Sequence, residues 1–494
     1  MKLEYKEKHR PQYHFSPEEK WMNDPNGMVF FKDEYHLFYQ YHPFGTTWGP
    51  MHWGHAISKD LIHWEHLPIA LYPDEHGAIF SGSAVVDWKN TSGFFPDEPG
   101  LVAIYTSADT YPDSDRPRQR QSLAYSKDDG RTWTKYDGNP VLSDVNITDY
   151  RDPKVFWHDE TNKWVMVLAT GQSITIYTSL NLKDWEFASE FGSKAGSHDG
   201  VWECPDLFKL PVDGDNNNNN NNKWVMFVSI GDNNQSSEGS RTQYFIGEFD
   251  GMNFVNDNPD ETVLWLDFGR DNYAGVSWSD IPAEDGRRIY IGWMSNWRYA
   301  NQVPTEGWRS AMTLPRELSL TSTESGVCLI QKVVSEVHSI RNHSVVTQDL
   351  TIESSTPITF EMPSHLMEVI VKFEKRDAAF FGIIFENGKN ERVLIQYDAE
   401  VEKLMVDRMQ AGISSFSESF PAIQETALKM ENDKITLQIF MDASSIEVLA
   451  NDGKAVCTSL VFPKQPYDKI LLFSNNGTTQ VSSLGLIDLY SIWG

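Results

Sequence analysis

The sequence predicts an all-β protein: a five-bladed β-propeller followed by an antiparallel β-sandwich. A divergent repeat of strand-like segments fills roughly the first two thirds of the 494 residues. From about Val345 the repeat gives way to short segments in which apolar and polar residues partly alternate. We therefore expect the propeller at residues 1–330, a linker at 331–344 and the sandwich at 345–494. Aromatic residues make up 13% of the chain, which suits both β-rich cores and sugar-binding clefts.

Each copy of the repeat opens with a short motif of acidic or small polar residues. Antiparallel units repeated five times indicate a propeller, whose innermost strands line a central channel. We therefore expect Asp24, Asp152 and Glu203 to meet at that channel, although they lie far apart in sequence. The alternative is a pair of sandwiches with coincidental repetition. The five motifs are Asn23-Asp24-Pro25, Ser81-Gly82-Ser83, Arg151-Asp152-Pro153, Glu203-Cys204-Pro205-Asp206 and Ser277-Trp278-Ser279-Asp280.

The remaining segments of the repeat are a hydrophobic strand and a polar hairpin that ends in an aromatic residue. A run of asparagines, Asn216 to Asn222, interrupts the fourth copy and predicts a solvated loop. In the C-terminal part, Asn451-Asp452-Gly453 marks a hairpin turn. The hydrophobic strands are expected at 35–41, 101–106, 163–169, 223–230 and 288–294, and the hairpins at 58–64, 126–133 and 179–185. The sandwich strands are expected at 358–361, 369–374, 383–386, 393–397, 403–407, 435–440 and 446–449.

Composition excludes several classes of partner. The formal net charge of −28 argues against nucleic-acid and anionic-membrane partners and suits a neutral substrate such as a sugar. The three cysteines form neither a disulfide framework nor a zinc-type spacing. The first residues carry no apolar signal-peptide core, as expected either of a cytoplasmic protein or of a secreted one whose signal has been removed.

The three acidic residues provide the groups that glycoside hydrolysis needs. That reaction uses one carboxyl as a proton donor and a second, ionised carboxylate as nucleophile or base. Asp24 has polar neighbours and suits the ionised role, whereas Glu203 lies between apolar neighbours and suits the proton donor. Asp152 follows Arg151, whose charge is expected to keep it ionised and able to stabilise positive charge on the sugar ring.

The chain resembles glycoside hydrolase family 32, which contains invertases, levanases and exo-inulinases. The resemblance rests on Trp21-Met22-Asn23-Asp24-Pro25-Asn26-Gly27, Arg151-Asp152-Pro153 and Glu203-Cys204-Pro205-Asp206, in that order. It also includes Trp53-Gly54-His55 and Phe80-Ser81-Gly82-Ser83 in the propeller, and Asp442-Ala443-Ser444-Ser445-Ile446-Glu447 in the sandwich. The resemblance covers nearly the whole chain.

The resemblance implies a retaining, two-step release of terminal β-linked fructose from fructans such as levan and inulin, and from sucrose. It implies that Asp24 is the nucleophile, Glu203 the general acid and base, and Asp152 the transition-state stabiliser. Retention predicts that the carboxyl groups of Asp24 and Glu203 lie about 5–5.5 Å apart. No metal and no cofactor are implied. The residues expected to bind the sugar are Trp21, Asn23, Gln40, Trp48, Phe80, Ser81, Arg151 and Trp297.

Three other features have a functional and a structural interpretation, and the structural one is favoured. The cluster His52, His55, His63 and His66 could ligate a metal, but alternation along strands separates the side chains. The series Arg116, Arg118 and Arg120 could hold a phosphorylated sugar, but a solvated loop of mixed charge is favoured. Cys204 could be a reactive thiol, but a small packing group in an apolar wall is favoured.

Several alternatives remain open at the level of sequence. Within the same class, the protein could be an invertase limited to sucrose and short fructo-oligosaccharides, or a transferase that passes fructose to another sugar. In a different class, it could be a non-catalytic fructan-binding protein, although all three signature carboxylates are present. The sandwich is expected to support the propeller, and a homodimer through the sandwich is a further possibility.

Overall fold

The computed structural model describes residues 4–214, 221–233, 236–324 and 326–493. Within these residues the chain is built almost entirely of β-strands, with two short 3₁₀ helices at Ala300–Gln302 and Ser335–Ile340. Asn216 to Asn220 of the asparagine run lie outside the described residues, and Asn222 begins a strand. No helix in the described ranges has the length and apolar character needed to cross a membrane.

The N-terminal part forms five separate sheets whose strands are antiparallel except for one short parallel pair. Blade 1 contains β1 Lys20–Phe31, β2 Glu34–His42, β3 His52–Ser58 and β4 Trp64–Leu71, and blade 2 contains β5 Ala78–Val86, β6 Leu101–Thr110, β7 Pro117–Ser126, β8 Thr134–Lys135 and β9 Leu142–Ser143. Blade 3 contains β10 Arg151–His158, β11 Lys163–Ala169, β12 Ile174–Ser179 and β13 Glu186–Phe191. Blade 4 contains β14 Trp202–Pro211, β15 Asn222–Ile230, β16 Arg241–Phe249, β17 Phe254–Asn256 and β18 Leu264–Trp265. Blade 5 contains β19 Tyr273–Ser277, β20 Arg288–Met294, β22 Ala311–Met312, β23 Arg316–Thr323 and β24 Gly326–Val333, while β21 Trp308–Arg309 joins blade 1.

The first strands of the five sheets contact one another in a closed ring, in the order β1, β5, β10, β14, β19 and back to β1. The short strand β21 pairs in parallel with the start of β1, which ties the chain of blade 5 to blade 1. The five sheets around one axis are the predicted five-bladed propeller.

The polar hairpins of the repeat form the same turn in blades 1, 2 and 3. In blade 1, Ser58 donates to the Asp60 carboxylate, which also accepts from the backbone N–H of His63. The indole N–H of the following Trp64 donates to the carbonyl of Leu61. Equivalent bonds join Ser126, Asp128, Thr132, Trp133 and Gly130 in blade 2, and Ser179, Asn181, Asp184, Trp185 and Leu182 in blade 3. The sequence repeat therefore has a direct hydrogen-bonding basis.

The C-terminal part is a sandwich of two six-stranded sheets with a continuous apolar core between them. The helix Ser335–Ile340 connects it to the propeller and lies within the predicted linker 331–344. The first sheet contains β25 Arg341–Ile352, β27 Met367–Lys375, β32 Lys434–Asp442, β33 Ser445–Ala450, β34 Ala455–Leu460 and β36 Thr479–Leu489. The second contains β26 Ile358–Glu361, β28 Phe380–Glu386, β29 Arg392–Asp398, β30 Lys403–Gln410, β31 Ile423–Ala427 and β35 Lys469–Asn475.

The two domains are joined by a buried network of charged side chains. His14 contacts the Asp442 carboxylate through Nδ1 and the Glu447 carboxylate through Nε2, each at 2.7 Å. Arg316 of β23 also contacts Glu447. The acidic residues of the sandwich motif therefore dock this domain on the propeller.

Candidate active site

Each of the five innermost strands is interrupted by a shift in register at the same end of the channel. The shifts lie between Met22 and Pro25, Ile79 and Gly82, Arg151 and Lys154, Glu203 and Asp206, and Tyr273 and Val276. Within three of them Asp152, Cys204 and Ala274 adopt positive φ angles of 62°, 45° and 53°. Since a β-bulge redirects side chains, the acidic motifs of different blades are aimed at one place.

The bulges surround a cavity of about 300 Å³ at this end of the channel. Every predicted site residue except Trp21 lines this cavity. Gln119, which the sequence did not predict, lines it as well. Trp21 is fully buried behind the cavity, where its indole N–H donates to Asn23 at 2.8 Å. The lining residues are Asn23, Asp24, Gln40, Trp48, Phe80, Ser81, Gln119, Arg151, Asp152, Glu203 and Trp297.

Asp24 is fixed by hydrogen bonds to both of its carboxylate oxygens. Asn23 Nδ2 donates to Oδ1 at 2.9 Å, and Ser81 Oγ donates to Oδ2 at 3.0 Å. Burial raises the pKa of Asp24 and the charge of Glu203 adds to this rise, while the bonds from Asn23 and Ser81 oppose it. The carboxylate is therefore held in one orientation by neighbours from blades 1 and 2.

Asp152 is almost fully buried, and burial is the main cause that raises its pKa to about 7. The sequence predicted that Arg151 keeps this carboxyl ionised, and the guanidinium does favour the ionised form, although burial outweighs it. The guanidinium lowers the pKa, but its Nε lies 3.9 Å from Asp152, and the charges of Glu203 and Asp24 act in the opposite direction. The backbone N–H of Cys204 donates to Asp152 at 3.0 Å.

Glu203 lies among polar groups, in contrast to the apolar setting expected from its sequence neighbours. Arg151 donates to Oε1 from Nη2 at 2.9 Å and from Nε at 3.2 Å. The hydroxyl of Tyr273 donates to Oε2. The apolar neighbours Trp202 and Cys204 belong to the same strand, but both are buried in the propeller cores.

Arg151 links the carboxylates to the opposite wall of the cavity. Its Nη1 donates to Asp149 at 2.6 Å and to Gln119 Oε1 at 3.2 Å. On another wall, the side-chain nitrogen of Gln40 is buried without a hydrogen-bond partner among the described residues. A buried, unpaired amide in a cavity is a donor available to a ligand.

Aromatic rings form the apolar part of the wall. Trp48 contacts Phe80 edge to face, with 6.2 Å between ring centroids. Trp297 stacks on Trp21 at 6.0 Å and contacts Trp293 at 4.8 Å. A few polar groups surrounded by aromatic surface are typical of a site that binds sugar.

The sequence missed Tyr273 because the fifth motif was assigned four residues too late. The bulge of blade 5 begins at Tyr273, whereas Asp280 lies toward the other end of the channel and accepts from Trp88 at 2.9 Å. The hydrophobic Tyr273-Ala274-Gly275 has no acidic residue that could mark it as a copy of the motif. Gln119 was missed since it lies within the arginine series that was interpreted as a loop.

Two of the clustered histidines have separate partners, since His55 stacks on Phe38 and His63 contacts Asp60, whereas the interpretation of the arginine series needs correction. Among the described residues no group of three or more acidic, histidine or cysteine side chains is arranged to hold a metal. Arg118 and Arg120 lie on strand β7, not in a solvated loop, and both pair with Asp109 of β6. Cys204 packs in an apolar core, as the structural interpretation expected, and its Sγ also lies 3.6 Å from Asp24 and 3.5 Å from Asp152.

Comparison with known proteins gives matches over nearly the whole chain. Residues 14–332 match the model of the glycosyl hydrolases family 32 N-terminal domain, and residues 335–488 match that of the family 32 C-terminal domain. A levanase of Bacillus subtilis (strain 168) is 54% identical over 99% of this chain and 72% of its own length.

Solved structures of similar proteins share the complete two-domain fold. The exo-inulinase of Aspergillus awamori superposes with a TM-score of 0.89 at 39% identity, over 99% of this chain and 100% of that one. The β-fructofuranosidase of Schwanniomyces occidentalis, complexed with fructosyl-erythritol, gives a TM-score of 0.88 at 33% identity over 98% of both chains. With three carboxylates converging on one cavity and both family models matched, the chain is a glycoside hydrolase and belongs to glycosyl hydrolase family 32.

Proposed function

We propose that this protein is a retaining exo-β-fructosidase that releases terminal fructose from fructans and sucrose. The observation that carries the proposal is the convergence of Asp24, Asp152 and Glu203, from three different blades, on one small cavity. Its volume of about 300 Å³ lies at the lower end of the range for small-molecule sites, which favours a terminal sugar over the interior of a chain. Similar proteins named levanase, exo-inulinase and invertase support the substrate class.

In the first step a carboxylate oxygen of Asp24 attacks the anomeric carbon of the fructosyl unit. The bond from that carbon to the leaving oxygen breaks, and Glu203 gives its proton to this oxygen. The bonds from Asn23 and Ser81 orient Asp24 for the attack. In the second step Glu203 takes a proton from water, whose oxygen attacks the same carbon, and Asp24 leaves as fructose is released.

Asp152 stabilises the positive charge that develops on the ring between these states. The donors left for the sugar hydroxyls include the unpaired amide nitrogen of Gln40. Trp48, Phe80 and Trp297 provide the surface on which the C–H groups of the sugar pack, and Trp21 supports Asn23 and Trp297 from behind.

The test is product analysis on sucrose, inulin and levan with the wild type, Asp24→Asn and Glu203→Gln. We expect fructose as the sole early product from both polymers and a loss of at least about 10³-fold in kcat for Asp24→Asn. Asp280→Asn is the matched control, because Asp280 is a carboxylate at the other end of the same channel. Early oligosaccharides would refute exo action, and near-full activity of Asp24→Asn would refute its role.

The rival of another class is a protein that binds fructan without cleaving it. The presence of all three carboxylates, each of which accepts a hydrogen bond, favours an enzyme. Fructan binding without release of fructose by the wild type would favour the rival.

We also propose that the sandwich forms a homodimer through strand β25. This 12-residue strand lies at the edge of its sheet, and Val345 and Val346 on it are exposed. A long edge strand with exposed apolar residues is a surface suited to pairing with a second chain.

A further inference from the structure

Three exposed aromatic side chains lie together at the end of blade 1 that borders the cavity. Phe44 is 77% exposed, Tyr72 is 54% exposed and Trp48 is 47% exposed. Phe44 and Trp48 belong to the loop between β2 and β3, and Tyr72 directly follows β4. We refer to Phe44, Trp48 and Tyr72 as the aromatic platform.

The strand order places the platform on a line from the channel to the outer edge of the blade. The sheet runs β1, β2, β3, β4 from the channel outward. Trp21 pairs with His42, Tyr41 pairs with His52 and Trp53 pairs with Leu71, so these strand ends share one end of the blade with Asp24. Three inter-strand spacings of about 4.8 Å give a width of roughly 14 Å, which exceeds one sugar ring.

A buried histidine supports the two outer rings of the platform. The ring of His52 contacts Phe44 at 5.8 Å and Tyr72 at 5.5 Å between centroids, and both contacts are edge to face. His52 itself is buried, and its Nδ1 lies 3.1 Å from the carbonyl of Pro50. The two exposed rings therefore pack against a buried side chain whose position is fixed.

The inner end of the platform is continuous with the cavity. Trp48 lines the cavity and contacts Phe80 there, although nearly half of its side chain remains exposed. The backbone N–H of Trp48 donates to Asn301 at 2.9 Å, which fixes the loop. A chain that leaves the cavity over blade 1 therefore meets Trp48 and then the outer rings.

We propose that the aromatic platform binds the part of a polymeric fructan that extends beyond the cavity. This proposal rests on the proposed function and adds that the site is adapted to polymers rather than to sucrose. Aromatic faces bind sugar C–H groups without needing charge, as suits a neutral chain and a protein of net charge −28. Sucrose has only one ring beyond the fructosyl unit in the cavity, so it cannot span the platform as far as Tyr72 at the outer edge of the blade.

The test compares kcat/KM on levan and inulin with kcat/KM on sucrose for the wild type and Phe44→Ala/Tyr72→Ala. We expect the polymer-to-sucrose ratio to fall about tenfold in the double variant, from the loss of two rings worth a few-fold each. Phe187→Ala is the matched control, because Phe187 is 65% exposed on the outer strand of blade 3, and it should keep the wild-type ratio.

A second measurement separates binding from turnover. In an Asp24→Asn background, migration in native gels that contain levan or inulin should be retarded, and the two platform substitutions should abolish most of this retardation. An unchanged ratio together with unchanged retardation would overturn the platform while leaving the proposed function intact. A change of oligomeric mass in the double variant, with an unchanged ratio, would instead assign the rings to contact with a second copy and overturn the proposal. Failure of the wild type to release fructose from any substrate would overturn the proposed function itself.

Discussion

The guanidinium of Arg151 is bonded to Glu203, 52 residues away, in preference to its neighbour Asp152. The Nη2–Oε1 distance to Glu203 is 2.9 Å, whereas the nearest approach to Asp152 is 3.9 Å. The reason lies in the backbone, because the bulge that starts at Arg151 gives Asp152 a positive φ and directs the two side chains apart. The Arg151 guanidinium therefore interacts with the carboxylates of Asp152 in blade 3 and Glu203 in blade 4.

Replacement of Arg151 by Lys should lower kcat/KM about 10- to 100-fold. A lysine keeps the charge but cannot reach Glu203, Asp149 and Gln119 at once, as the planar guanidinium does. Steady-state kinetics on sucrose measures the effect. Lys127→Arg, on an exposed turn of blade 2, is the control and should be neutral. Full activity of Arg151→Lys would mean that charge alone is sufficient.

Replacement of Glu203 by Gln should move the acid limb of the pH profile to lower pH. Burial raises the pKa of Asp24, and the charge of Glu203 adds to that rise, so its removal lowers the pKa. The profile of kcat/KM should be recorded with a fructosyl donor whose leaving group needs no protonation, so that the loss of the acid does not abolish activity. An acid limb that stays in place would show that another group controls it.

The stability of the Asp152→Asn variant relative to the wild type should be greater at high pH than at low pH. The pKa of Asp152 is raised from 3.8 to about 7, so its contribution to stability is complete below about pH 4 and is lost as the pH rises through 7. The asparagine of the variant does not ionise, so the variant does not lose stability in this pH range for this reason. Its stability relative to the wild type should therefore rise by about 2 kcal/mol between pH 5 and pH 8, as measured by denaturant unfolding. A constant difference would mean that Asp152 is ionised throughout.

Replacement of Val346 by Lys tests the proposed dimer. A charge on the exposed edge strand β25 disfavours pairing with a second chain, so the variant should sediment as a monomer where the wild type is dimeric. Val255→Lys, on the outer strand β17 of blade 4, is the control and should not change the mass. A monomeric wild type would exclude the dimer.

The sequence predicted the propeller because blades 1, 2 and 3 repeat local hydrogen bonds that require particular residues. The Ser58–Asp60 turn and its equivalents in blades 2 and 3 need an Asp or Asn side chain as hydrogen-bond acceptor and an aromatic residue a few positions later. Both requirements can be recognised in the sequence. Lys163–Ala169 and Arg288–Met294 have the bounds predicted for them. The hydrophobic pattern of the strands reflects burial between neighbouring blades, because the apolar clusters join blade 2 to blade 3 and blade 3 to blade 4.

Repetition alone predicted the site where its residues lie inside a repeated motif, whereas Gln40, Trp48 and Trp297 were expected from the family resemblance. Asp24, Asp152 and Glu203 lie in equivalent bulges of the innermost strands. Because these bulges meet at one end of the channel, equivalent positions in the repeat lie close together in the fold. The bond from Tyr273 to Glu203 depends on how far the fifth blade is rotated toward the fourth, which no local pattern records. The raised pKa of Asp152 likewise depends on burial by other blades, which outweighs the adjacent Arg151.

Replacement of His14 by Gln should destabilise the protein by about 3 kcal/mol near pH 6, because it leaves the buried carboxylates of Asp442 and Glu447 without the cation between them. The hydrogen bonds and charges of these two carboxylates outweigh burial and raise the pKa of His14 to about 9. The stabilisation is therefore complete below about pH 6.5 and is lost as the pH rises through 9.

The difference in unfolding free energy between wild type and His14→Gln should accordingly be largest near pH 6 and shrink by pH 9.5. His63→Gln is the control: His63 contacts Asp60 at 2.7 Å on the surface, and its loss should change stability by no more than about 0.5 kcal/mol. Equal destabilisation of His14→Gln at both pH values would show that the histidine is neutral in the native protein. The acidic motif of the sandwich would then dock on the propeller through hydrogen bonds to His14 and the charge of Arg316 alone.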